Sequence, residues 1–315
     1  MLRVIRWEAG RVTAGGRELV QRGARLWIDC TPDAETLAFL GATFGFHPLA
    51  LEDCAHEDQR PKYEPYPESL FCVVHRVAPT PDDTDLRSHE LHAFLTAEAV
   101  VTVHRVPLAE LDRVFARCAE EPALLERGPD FALYLVHDAM TDVHFALADA
   151  LTEEVEELAD LASQPDGVAP DEDLLPRIVA ARRTHGLLRR RLAPQREVFA
   201  GLARPGQPLV REATAIYFRN VVDHTVRLAE EIDTSRDLLA SAMDAYLSRT
   251  NNRLSGLTAR LTLVATIFLP LNFVAGFFGM NLQIVPPRIA VPLVLSVVAV
   301  MPLALWAFFR RRRWV

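Results

Sequence analysis

The sequence predicts an amino-terminal α/β domain followed by long helices and two membrane-spanning helices. Short stretches rich in Val, Leu, Phe and Trp alternate with turns over the first 128 residues, as in a mixed α/β domain. Helical periodicity then takes over, with apolar residues three and four positions apart. No charged side chain occurs in 261–287 or in 289–309. Each run exceeds the roughly 20 apolar residues that a transmembrane helix needs.

These patterns divide the chain into seven predicted segments. They are a cytoplasmic α/β domain (1–128), a cytoplasmic helical pair (129–205), a long stalk helix (206–260), a first transmembrane helix (261–280), an outer loop (281–288), a second transmembrane helix (289–309) and a basic cytoplasmic tail (310–315).

Five strands and two helices are expected in the α/β domain. The strand candidates are 2–7, 25–29, 70–77, 89–95 and 100–104. Thr31-Pro32-Asp33 has the composition of a helix start, with a hydroxyl cap, a proline in the first turn and an acid near the positive end. That helix is expected to reach about residue 41, and a second helix is expected over 108–125.

Three long helices are expected in the rest of the cytoplasmic part. Regular apolar spacing predicts one over 131–161 and another over about 171–202. From residue 209 no proline interrupts the pattern until Pro270, so the third helix is expected to run into the membrane. Because a lone helix of this length cannot bury its apolar side, we expect it to pack on the preceding helices or on copies of itself.

The flanking cations set the predicted orientation in the membrane. Arg249, Arg253 and Arg260 precede the first apolar run, and the cluster 310–313 follows the second. By the positive-inside rule both ends of the membrane part face the cytoplasm, and the connection between the two runs faces outward. This indicates a multi-pass membrane protein with both termini in the cytoplasm.

Composition and motifs exclude several functions. The net charge of -8 argues against nucleic-acid binding, which requires a basic face. We find no nucleophile–base pair, no phosphate-binding loop and no closed set of metal ligands, so neither an enzyme nor a tightly bound cofactor is expected. The four cysteines show no Cys-x-x-Cys spacing and are interpreted as reduced structural thiols: Cys30, Cys54, Cys72 and Cys118.

One face of the first predicted membrane helix has unusual side chains. Steps of four and three residues from its end meet, in order, Gly276, Asn272, Leu269, Ala265, Thr262, Thr258 and Ser255. We call this set the polar stripe, since six of its seven members are small or polar. Its period near 3.5 is that of parallel helices packed around a common axis. Two interpretations remain open, a tight helix–helix seam and the wall of a water-filled pore.

Asn272 favours the pore, because an amide in the middle of a membrane is costly unless it meets a partner or water. In such a pore, Leu269 and the adjacent Leu261 would form an apolar constriction that dewets and closes. Asn281 lies nine residues beyond Asn272, and several copies of it around one axis would form the mouth.

Four stretches resemble the CorA family of divalent-cation transporters. ATIFLPLNFVAGFFGMN (265–281) resembles the family signature, whose Gly-Met-Asn triplet is here Gly279, Met280 and Asn281. YFRNVVDH (217–224) is similar to the family's stalk motif. ALEDC with QRPK (50–62) and the Arg-rich tail ending in Trp314 are similar to its amino-terminal domain and its basic carboxyl terminus.

The resemblance implies a homopentameric funnel in which the stalk helix continues as the pore-lining helix and the second membrane helix forms an outer ring. The partners would be four further copies of the chain and the lipid bilayer. The triplet asparagines would hold a cation through its water shell. The transported ion would be Mg²⁺, Co²⁺ or Ni²⁺.

Two departures from the family pattern leave alternatives open. Asn220 stands where the stalk motif usually carries an acid that holds Mg²⁺ between subunits. Two interpretations of Asp82, Asp83 and Asp85 then remain open, a solvated loop and a replacement inter-subunit site. The outer loop has no acid and is followed by Arg288. Both departures also suit the ZntB branch, which moves Zn²⁺ with protons. A membrane scaffold or sensor that conducts no ions is a further alternative.

Overall fold

The computed structural model describes residues 1–8, 10–21, 23–79, 86–164, 173–279 and 287–311. The chain divides into two compact units. Unit 1 comprises Met1–Ala162 and Glu172–Ala242, and unit 2 comprises Ser163–Asp171 and Met243–Val315.

Unit 1 is built on a mixed sheet with seven strands among the described residues. The strands are β1 (Leu2–Glu8), β2 (Arg11–Gly15), β3 (Arg25–Cys30), β4 (Lys62–Pro65), β5 (Leu70–Pro79), β6 (Leu86–Leu95) and β7 (Ala99–Val103). Their order is β2-β1-β3-β7-β6-β5-β4, and only the β3–β7 pair within this sheet is parallel. All five predicted strands are confirmed, whereas β2 and β4, the two edge strands, were not predicted.

Helices cover both faces of the sheet. The described helices of both units are α1 (Ala34–Phe44), α2 (Pro48–Ala55), α3 (Ala109–Glu120), α4 (Pro122–Glu126), α5 (Pro129–Ala162), α6 (Leu174–Leu192), α7 (Gln195–Leu202), α8 (Glu212–Gly279) and α9 (Pro287–Arg311). Leu26 and Ile28 of β3 pack in one core with α1 and α2, while Trp27 points to the other core with α3, α5, α7 and the start of α8. This alternation follows from the two-residue period of a strand.

Three predicted helix boundaries were wrong. The cap of α1 is Asp33, not Thr31, since the Asp33 carboxylate accepts the Thr36 N–H at 2.9 Å. The helix predicted over 108–125 is broken before Pro122, and the one predicted over 171–202 is broken at Pro194. Each proline lacks the N–H and has the steric bulk that end a helix, and each begins a new helix instead. Helix α2 was not predicted.

Two buried histidines of α5 differ in their hydrogen bonding. His137 on α5 is fully buried beside the rings of Phe199 and Phe218, and neither of its ring nitrogens has a hydrogen-bond partner within the described part of the chain. His144 lies two turns further along the same face of α5. Its Nε2 atom accepts the backbone N–H of Val77 at 3.1 Å. Burial lowers the pKa of both imidazoles to about 3, so both are neutral in the folded chain.

Replacing His137 by leucine is expected to stabilise unit 1. At neutral pH the free energy of unfolding should rise by about 1–2 kcal/mol, because two unpaired polar atoms leave the core. Below pH 6.5 the unfolded chain takes up a proton that folded His137 refuses until about pH 3, so stability falls as the pH falls. At pH 5 this loss is roughly 2 kcal/mol, and the leucine variant should lack it.

The measurement is denaturant unfolding of the full chain in detergent at pH 7 and pH 5, followed by tryptophan fluorescence, to which the buried Trp7 and Trp27 of unit 1 contribute. His144→Leu is the matched control, because it removes the acceptor of the Val77 N–H and should destabilise the fold. Equal destabilisation by both leucine variants would contradict the prediction.

Candidate ion pathway

Helix α8 contains the stalk motif and the polar stripe in one element of 68 residues. It continues through Pro270, which removes the N–H that would bond to the carbonyl of residue 266. The Thr266 hydroxyl donates to the Thr262 carbonyl at 2.7 Å. Hydroxyl side chains in apolar helices satisfy their hydrogen-bond donor in this way. The helix continues past this proline to Gly279.

Among the described residues, one helix is long and apolar enough to cross a membrane, Glu212–Phe277. Its most apolar 18-residue window has a mean hydropathy of 1.6, and none of that window is buried within the chain. Helix α9 has 25 residues and contains Pro292 and Pro302. The second membrane span, predicted over 289–309, remains a prediction, and a helix forms over these residues.

The polar stripe lies on an exposed face of α8. Ser255, Thr258, Thr262, Leu269, Asn272 and Gly276 are exposed, and Ala265 is half-buried. Leu269 is 68% exposed, and Leu261 beside the stripe is 71% exposed. The Asn272 side chain makes no hydrogen bond to any described residue. The stripe is thus not covered by the chain itself.

A different side of α8 is partly covered by the rest of the chain. Besides Ala265, the half-buried positions between 255 and 276 are Ala259, Leu263, Thr266, Ile267, Pro270, Leu271 and Val274. At 100° per residue these seven centre about 130° around the helix axis from the centre of the stripe. Water or another copy of the chain therefore has access to the stripe, which is the condition for either of its two interpretations.

The predicted entrance lies at the end of this helix. Gly279 is the last residue of α8. Met280 and Asn281 fall outside the described residues, so their role remains a prediction from the sequence.

Asn220 lies on an exposed face of the part of α8 that belongs to unit 1. Its amide makes no hydrogen bond to the described residues. Asp82, Asp83 and Asp85 fall outside the described residues. No group of three or more His, Cys, Asp or Glu side chains in the described parts is arranged to hold a metal ion.

An acidic pair on α5 that the sequence analysis did not single out lies near the stalk motif. Burial and the neighbouring carboxylate of Asp142 raise the pKa of Asp138, while Tyr134 and nearby His224 of α8 oppose the rise. Asp138 and Asp142 are four residues apart and therefore lie on one face of α5. This spacing is visible in the sequence and could have identified the pair. The charged form of Asp138 is therefore less favoured than that of a solvent-exposed aspartate.

An α/β domain that passes into a long helix with an uncharged, apolar end and an exposed polar stripe is the architecture of a membrane transport protein. Comparison with known proteins narrows this class. The model of the family described as CorA-like Mg²⁺ transporter protein matches residues 23–312. The chain therefore belongs to the CorA family of divalent-cation transporters, which are membrane transport proteins and not enzymes.

Individual relatives cover nearly the whole chain. It is 30% identical over 295 residues to the cobalt/magnesium transport protein CorA of Thermotoga maritima, covering 92% of this chain and 83% of the relative. The solved CorA magnesium transporter of Methanocaldococcus jannaschii superposes with a TM-score of 0.83 at 23% identity, covering 100% of this chain and 99% of that one. The ZntB cytoplasmic domain of Vibrio parahaemolyticus gives a TM-score of 0.65 at 14% identity, covering 79% and 98%. The two structural matches establish the fold alone.

Proposed function

We propose that the chain assembles as a homopentamer in the cell inner membrane and conducts Mg²⁺, with Co²⁺ and Ni²⁺ as further cargo, through a pore along its fivefold axis. Both termini would face the cytoplasm. The proposed lining residues are Ser255, Thr258, Leu261, Thr262, Ala265, Leu269, Asn272 and Gly276, and the proposed entrance is formed by Gly279, Met280 and Asn281. The observation that carries the proposal is the exposed polar stripe of α8 in a chain of the CorA family.

A ring of asparagines suits Mg²⁺ chemically. The ion requires octahedral oxygen coordination and gives up its water reluctantly, so it is best recognised through its hydration shell. Carboxamide oxygens accept hydrogen bonds from these waters, yet they carry no full charge that would trap the ion. Gly279 at the end of α8 relieves crowding where five chains would converge.

Control by cytoplasmic Mg²⁺ is proposed to be weak in this chain. An amide at position 220 binds a hard cation less well than the carboxylate that the family resemblance implies there. Asp82, Asp83 and Asp85 are the remaining acidic candidates for a site between subunits.

Zinc transport coupled to protons is the second candidate function. It is favoured by the absence of acids in the outer loop 281–288, a departure from the CorA pattern that suits the ZntB branch. Flux of Mg²⁺, Co²⁺, Ni²⁺ and Zn²⁺ into proteoliposomes, with and without a pH gradient, distinguishes the two. Mg²⁺ uptake independent of the gradient is expected, and Zn²⁺ uptake that requires the gradient would replace the first proposal by the second.

The exposure of the stripe to water is testable with thiol chemistry. A cysteine in place of Thr262, on the stripe, should react with a membrane-impermeant maleimide at least about tenfold faster than a cysteine in place of Val264, which lies about 160° away on α8. The reason is that only the stripe would border water, whereas position 264 would border lipid.

The native cysteines provide a silent background for this labelling. Cys30, Cys54, Cys72 and Cys118 are at most 2% exposed. Burial raises the pKa of Cys30, Cys72 and Cys118 to about 12 and raises that of Cys54 still further, so the reactive thiolate is scarce at neutral pH. Equal labelling at positions 262 and 264 would favour the helix seam over the pore.

A further inference from the structure

The start of α8 is held by a buried carboxylate at the start of α5. Asp130, in the first turn of α5, is 2% exposed. Its Oδ2 atom accepts the backbone N–H of Arg211, the residue before α8, at 3.1 Å. Its two oxygens also accept from the Arg211 guanidinium, from Nε at 3.1 Å and from Nη2 at 2.5 Å. One negative charge thus lies at the amino-terminal ends of two helices, where unpaired N–H groups and helix dipoles stabilise it.

The turn before α5 is shaped to admit this guanidinium. Gly128 has a φ of +97°, a conformation that residues with a side chain rarely adopt. A Cβ atom at this position would lie 2.6 Å from the Arg211 Nη2 atom. Glycine is therefore required both by the backbone conformation and by the close approach of Arg211.

Aromatic contacts also restrain the first two turns of α8. The Arg127 guanidinium lies 3.5 Å from the ring centre of Phe131 and 4.8 Å from that of Tyr217. The Tyr217 ring also packs against Tyr134, with their centres 5.1 Å apart. Arg211 and Tyr217 are six residues apart and leave the helix axis about 120° from each other. Restraints in two directions hold a helix against rotation, which a single contact does not.

We propose that Arg127, Gly128, Asp130, Phe131, Arg211 and Tyr217 form an anchor that fixes the axial position and rotation of α8, and that Arg211 is a positioning residue for transport. Because α8 is one continuous helix, its later turns follow the rotation of its first turns, and a slip by one residue turns the stripe by about 100°. The inference rests on the proposed function, since it assumes that the stripe lines the pathway.

The test compares Arg211→Gln with a matched break elsewhere in unit 1. Arg76 and Glu110 join β5 to α3 through a similar two-pronged ion pair, with distances of 3.1 and 3.2 Å and a Glu110 side chain that is 5% exposed. Arg76→Gln therefore removes a comparable interaction that does not involve α8. Arg211→Lys keeps the positive charge and serves as the conservative variant.

Three quantities are measured on the full chain in proteoliposomes: Mg²⁺ flux per folded protein, the thermal midpoint, and hydrogen exchange of the amides of residues 212–222. Arg211→Gln is expected to lower flux at least about fivefold and to accelerate exchange in 212–222, with partial recovery in Arg211→Lys. Arg76→Gln should lower the thermal midpoint similarly while leaving both other quantities near wild type.

Equal loss of flux in the two glutamine variants would overturn the proposal, as would unchanged flux and exchange in Arg211→Gln. Absence of Mg²⁺ flux in the wild-type chain would instead overturn the proposed function. In that case the exchange rates alone decide whether the anchor holds α8.

Discussion

Asn281→Ala is expected to lower Mg²⁺ uptake at least about tenfold. In the proposed pentamer the substitution removes five amide oxygens at once from the place where the hydrated ion first binds. Each hydrogen bond to an ion's water contributes on the order of 1 kcal/mol, and a loss of only 1.4 kcal/mol in binding already corresponds to a factor of ten. The measurement is initial Mg²⁺ flux into proteoliposomes containing equal amounts of assembled protein.

Ser296→Ala is the matched control for this loss. Ser296 is an exposed polar residue of α9, and its hydroxyl donates to the Pro292 carbonyl of its own helix at 2.8 Å. Its removal deletes a polar group from the membrane part without touching the proposed pathway, so flux should stay near wild type. Wild-type flux in Asn281→Ala would support the alternative of a scaffold or sensor that conducts no ions.

Much of the fold could be predicted from local patterns in the sequence. The five predicted strands are interior in the sheet. They are rich enough in Val, Leu, Phe and Trp to be recognised without context, as in the fully buried run of β7. Strand β4 is an edge strand of three half-buried residues and one exposed residue, and it has no such signature. The cap of α1 was misplaced because Thr31 and Asp33 are both good caps, and the choice depends on Thr31 being occupied by the amino group of Met1.

Contacts between residues that are far apart in the chain could not be predicted, because local patterns describe only neighbouring residues. The period of the polar stripe identified a special face of α8 from the sequence, because side chains three and four apart share a helix face. The anchor joins Asp130 and Arg211, which are 81 positions apart, and nothing in either local sequence specifies the other. The local sequence around His137 likewise does not specify that the rings of Phe199 and Phe218 lie beside its imidazole in the fold. Pairings of this kind arise only from the tertiary fold.

Leu269→Asn is expected to raise Mg²⁺ flux at least about fivefold under conditions in which the wild-type pore is mostly closed. Leu269 is the one large apolar member of the polar stripe and is 68% exposed on α8. Five such side chains around an axis would form a narrow apolar section, from which water withdraws and through which a hydrated ion does not pass. Five amides would instead keep this section wet. The measurement is initial Mg²⁺ flux into proteoliposomes that contain equal amounts of assembled wild-type or variant protein.

Leu269→Met provides the control, since methionine is apolar and of similar volume and should preserve closure. The same substitution also separates the two interpretations of the stripe. In a tight helix seam, an asparagine at position 269 would hydrogen-bond across the helices and strengthen their association without creating a path for ions. A rise in oligomer stability with unchanged flux would therefore identify the stripe as a seam and remove the physical basis of the proposed pore.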